Sequence, residues 1–152
     1  MNGLTHFFGI VMGIIALGLL LNRTTPIVTP THKLAFIIYG ISMILLFTFS
    51  TLYHWLPLEG KKLEVFRKID HIMIFVFIAA SYTPLSLTIL KGTLGNVMII
   101  TVWTITIAGF FMKLFWLNAP RYLYTAIYLL MGWVFVFAFY PLFSALSFEG
   151  IM

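Results

Sequence analysis

The chain has 152 residues, of which 62% are hydrophobic and only 9% charged, with a net charge of +5 and a mean hydropathy of +1.08. A soluble domain of this length carries roughly a quarter charged residues, so hydrocarbon rather than water is its main solvent. It has no cysteine, which excludes disulfides and thiolate metal sites. Its nine Lys and Arg stand between apolar runs, a placement that suits anionic lipid headgroups and topology signalling and argues against a nucleic-acid partner.

Charges cut the chain into runs long enough to cross a bilayer as helices. The predicted elements are five spans at 3–22, 34–56, 70–90, 94–113 and 121–147, within a single transmembrane domain covering 1–152. The first run lacks the positive segment that opens a signal peptide, with His6 standing in its place. It is therefore read as a span. In Gly9 and Gly13 it carries a Gly-x-x-x-Gly step that lets another helix approach closely. The second run lies between Lys33 and Glu59, and Pro57 to Ile69 is read as a charged loop to the third, which Asp70 and His71 open. Pro84 is expected to bend that third helix. The fourth run ends at Lys113 and the fifth follows Arg121. Runs such as Met43-Ile44-Leu45-Leu46-Phe47 lack the alternation of a membrane barrel. The fold class expected is an all-α polytopic membrane bundle.

On the side shared by the N-terminus stand Lys61, Lys62, Arg67, Lys68, Lys113 and Arg121; opposite them stand Arg23, Lys33 and Lys91. That imbalance places the N-terminus in the cytoplasm. The location expected is a bacterial plasma membrane, with membrane lipids as partners.

Ionisable groups at membrane depth are costly and are functional candidates by default. Ser50 and His54 close the second span one helical turn apart, on one face. Asp70 opens the third, and antiparallel packing would bring it to the depth of His54. An imidazole and a carboxylate in partly dry surroundings can hold a metal directly or through water. Bland alternatives stand beside this reading. His54 next to Trp55 suits an interfacial belt, Asp70 an ordinary N-cap, and Ser50 a bond back to the Leu46 carbonyl. For His6 an inter-helix hydrogen bond is favoured over metal ligation, and His71 is read as reaching another helix or the headgroups.

At these residues the chain resembles the hemolysin III family, relatives of the progestin and adipoQ receptors. The likeness runs through Gly40 to Leu46 into Ser50-Thr51-Leu52-Tyr53-His54. It continues in Lys68-Ile69-Asp70-His71 and Ala79-Ala80-Ser81-Tyr82-Thr83-Pro84, and ends in Tyr128 to Trp133. Asn2, Thr5, His6 and Gly9 look like the family's first-span pattern. The resemblance implies a seven-span fold with zinc near the cytoplasmic side. His54 would be a ligand, Asp70 would hold a metal-bound water and Ser50 would support the polar shell. The family's His-x-x-x-His motif has no counterpart here, since no histidine follows His71. The chain is thus expected to be a truncated member, with a second polypeptide as the partner that could supply its missing helices.

The function expected from the resemblance is zinc-dependent hydrolysis of a lipid amide or ester. The metal would polarise the carbonyl and activate water, and Asp70 would position or deprotonate that water. The alternatives are a pore-forming hemolysin, a receptor-like binding module and an inactive fragment.

Overall fold

A computed structural model describes residues 2–22, 28–90, 92–116 and 119–145, with the backbone alone at 2, 141, 142, 144 and 145. The Asn2 side chain, Arg23 and Lys91 lie outside the described residues. The elements are α1 (Asn2–Asn22), α2 (Pro30–Trp55), α3 (Gly60–Pro84) running directly into a π-helical turn (Leu85–Ile89), α4 (Thr93–Phe115) and α5 (Arg121–Ala145). Among the described residues five helices are long and apolar enough to cross a membrane, and no strand occurs. The chain is an all-α polytopic bundle. Helix α1 packs on α2, α2 on α3, α3 on α4, and α5 lies against both α3 and α4.

Two boundaries differ from those read off the charges. Helix α2 begins at Pro30 rather than 34, because Pro30 occupies the first helical position and Thr29 caps it in a capping box with His32, roles those residues suit. Helix α3 begins at Gly60 rather than 70. The charged stretch expected to be a loop is mostly helix, and residues 56–59 alone make the turn. Lys61, Lys62, Glu64, Arg67 and Lys68 are ordinary helix formers. Charge kept them out of hydrocarbon, not out of the helix. Asp70 is consequently well inside α3, and the N-cap is Glu59, whose charge suits the positive end of the helix dipole.

Pro84 does not stop its helix. The chain widens past it into the π-helical turn, where the Leu90 amide donates to the Leu85 carbonyl at 2.9 Å and the Thr88 hydroxyl to the Pro84 carbonyl at 2.7 Å. A single π turn is a recognised way to absorb such an interruption. Gly92, at φ 94°, then reverses the chain into α4. Beside this turn Gly95 sits against backbone: a Cβ there would collide with the Leu90 carbonyl oxygen and lie 2.6 Å from that of Ser86.

The apolar middle of the bundle is built from Phe75 and Ala79 of α3, Met98 and Val102 of α4, and Met131 and Ala138 of α5. Large apolar side chains such as Leu19, Ile100 and Phe137 cover the outside, as lipid contact allows. The Gly9–Gly13 step meets α2: a Cβ at Gly9 would lie 2.7 Å from the Phe47 ring and one at Gly13 3.1 Å from Ile44. Polar side chains tie the helices together. Thr106 donates to the Phe75 carbonyl at 3.2 Å and the Trp103 indole to Thr83 at the same distance. The Tyr82 hydroxyl donates to the Met131 and Gly132 carbonyls at 2.7 and 3.0 Å, and that of Tyr128 to the His71 carbonyl at 2.9 Å.

Gly95→Ala is expected to destabilise the bundle by about 1–3 kcal/mol, because the neighbouring backbone cannot yield cheaply. Gly18→Ala, with open space around it, should be neutral or slightly stabilising. Unfolding in mixed micelles, comparing both variants with wild type, checks the contrast.

Candidate functional site

The antiparallel pairing of α1 and α2 brings the start of one against the end of the other. Phe7 stacks on Trp55 at 5.6 Å between centroids, which fixes the pair at this level. The Ser50 hydroxyl and Nδ1 of His6 share a hydrogen bond of 2.7 Å. The His54 ring stands edge-on to His6 at 5.7 Å and beside Tyr53 at 5.1 Å. Ser50 is buried, His6 half-buried and His54 exposed, so the cluster runs from the bundle interior to its rim. The bond from Ser50 back to Leu46 is replaced by this cross-helix bond, and the inter-helix role expected of His6 is what the structure has. Of the predicted site residues, Ser50 and His54 thus meet around His6.

Asp70 is half-buried in the interior of α3, and the N-cap alternative for it does not hold. It makes no direct hydrogen bond or ion pair with His54 among the described residues. The next residue, His71, lies beside the Tyr124 ring at 5.4 Å and shares a cavity with Tyr53. The end of α2 and the middle of α3 are therefore level.

That cavity, of about 490 Å³, opens among α2, α3, α4 and α5, and Arg67, His71, Lys113, Arg121, Tyr124 and Tyr128 are among the residues lining it. Lys113 is 1% exposed, and its Nζ stands 3.3 Å from the centroid of the Tyr124 ring, a cation–π contact that offsets part of the cost of burying an ammonium group. Sequence reasoning missed this feature. It read Lys113 and Arg121 as the edges of spans, and only the convergence of three helices turns those edges into one lining. The legible signal was Arg121 with Tyr124 and Tyr128 at helical spacing.

A zinc site needs three or four ligands. Among the described residues no three His, Cys, Asp or Glu side chains gather closely enough to hold a metal ion. His6 and His54 are two adjacent imidazoles, an incomplete set, so these residues alone do not fit the zinc that the family resemblance implies.

The family model described as "Haemolysin-III related" matches residues 1–151. A "Hemolysin-3 homolog" of Bacillus subtilis (strain 168) is 37% identical over 149 residues, covering 98% of this chain and 70% of the relative. A "Hemolysin-3" of Bacillus cereus is 36% identical over 150 residues, covering 98% and 68%. No solved structure matches the chain.

A double-mutant cycle on Ser50→Ala and His6→Ala should give a coupling of about 0.6–1.5 kcal/mol in mixed-micelle unfolding. Independent effects would mean that the bond does not hold α1 to α2. Elemental analysis of the chain purified without chelators should find well under one zinc per chain, unchanged by His54→Ala. One equivalent of zinc, lost in that variant, would refute the incomplete ligand set.

Proposed function

Because the chain belongs to the Haemolysin-III related family, we propose that it is a membrane-embedded hydrolase of lipid amides or esters, working at the end of the bundle where α1 begins and α2 ends. The observation that carries this reading is the 2.7 Å bond between Ser50 and His6 with His54 at its side. Polar groups are expensive at such a position. A buried hydroxyl that ties α1 to α2 and at the same time orients an imidazole beside a second imidazole suits a proton-handling site. Ser50 holds the His6 ring in one orientation through Nδ1. His54, at the rim, takes or gives a proton where a lipid's carbonyl linkage meets water. Asp70, level with it on α3, is the carboxylate available to accept a proton from water. Zinc enters this proposal only with ligands beyond His6 and His54. The excess of Lys and Arg at this end favours a cytoplasmic face in a bacterial plasma membrane.

A pore is less well supported. A conducting path needs a polar lining across the bilayer, whereas the middle of this bundle is filled by Phe75, Ala79, Val102 and Met131.

Protein reconstituted in lipid and offered a panel of lipid amides and esters should release fatty acid. Asp70→Asn and His54→Ala should each slow release about a hundredfold, the scale of lost acid–base help. No release, or release equal in the variants, would overturn the hydrolase reading. Osmotically protectable lysis of red cells by the same preparation would favour the pore.

A further inference from the structure

Three cations converge on the cavity among α2, α3, α4 and α5: Arg67, Lys113 and Arg121. No acidic side chain is among the residues lining it; Asp70, close enough to act electrostatically on His71 and Tyr128, is one carboxylate against three cations, which leaves a net positive charge there. Lys113 has all but 1% of its surface buried and faces the Tyr124 ring. Arg121 sits at the first position of α5, whose opening turn carries no acidic residue. A cation at that end of a helix adds to the positive end of the dipole instead of opposing it. Such an accumulation is unfavourable in a low-dielectric setting unless an anion occupies it. The hydroxyl of Tyr53, also in the lining, adds a donor that suits a multi-oxygen anion.

The chemistry of the rim indicates where the anion comes from. Phe115, Trp116 and Tyr122, which flank Lys113 and Arg121 in the chain, are 80%, 52% and 75% exposed. Large exposed aromatic side chains at the ends of spans form the belt that sits at headgroup level. The cations are thus held at the depth of lipid phosphates, beside surface on which acyl chains can lie. We propose that this cavity binds the phosphate of an anionic phospholipid headgroup, gripped by Arg67, Lys113 and Arg121. The site is independent of the hydrolase reading, which rests on His6, Ser50 and His54.

The test is native mass spectrometry of detergent-purified protein offered equimolar phosphatidylglycerol and phosphatidylcholine. Wild type should retain phosphatidylglycerol over phosphatidylcholine by about tenfold or more, the scale of a few basic contacts at the membrane surface. Lys113→Met and the pair Arg67→Gln/Arg121→Gln should each bring the ratio close to one, and Lys113→Arg should keep it. The pair Lys61→Gln/Lys62→Gln removes two exposed cations from the first turn of α3 and should leave the preference intact. Displacement of the lipid by excess inorganic phosphate would support the site while identifying free phosphate as a sufficient ligand. Equal retention of the two lipids by wild type overturns the proposal. So does an equal loss in the Lys61/Lys62 pair, which would reduce the effect to general surface charge. Should Lys113→Met fail to fold, the arginine pair decides.

Discussion

Hydrocarbon offers no hydrogen-bond partner, so every polar group carried into it must find one in the protein. That constraint makes each described span a helix, and it also decides which side chains hold the helices to one another. Between apolar helices in lipid there is little hydrophobic drive to associate. Polar links therefore carry unusual weight: His6 with Ser50 between α1 and α2, Thr106 and Trp103 between α3 and α4, and two tyrosine hydroxyls between α3 and α5. Buried Thr51 and Ser86 make no hydrogen bond among the described residues.

The same constraint sorts function by depth. The middle of the bundle is apolar, while at one end the structure assembles two separate polar groups. One is the His6–Ser50–His54 cluster on α1 and α2. The other is the cationic cavity bounded by α3, α4 and α5 with the end of α2. Tyr53 links them, since its neighbour His54 belongs to the first and its own side chain lines the second. A lipid held by its phosphate in one would present the rest of its headgroup region close to the other.

The spans and the all-α class were legible because charge is so sparse that nine basic residues punctuate the whole chain. The start of α3 was not. Charge marks where hydrocarbon ends, and Lys61 to Lys68 continue a helix beyond it. The face shared by Ser50 and His54 followed from helical spacing, but the role of His6 as the partner that completes them depends on how α1 docks. The Gly9–Gly13 step signalled a close approach without naming the helix. Lys113 was the least legible, for a lysine that ends an apolar run normally reaches out to water or headgroups. Only the Tyr124 ring, one helix later in the chain, gives its ammonium a reason to turn inward.

The tyrosine bonds between α3 and α5 run in opposite senses. Tyr82 of α3 reaches carbonyls of α5, and Tyr128 of α5 reaches a carbonyl of α3. Sliding α5 along its own axis by a full turn, about 5.4 Å, would take both hydroxyls off their acceptors together. A pivot about the line joining the two contacts would keep both. The pair therefore sets the register of α5 against α3, and with it the height of Arg121 and Tyr124 relative to His71.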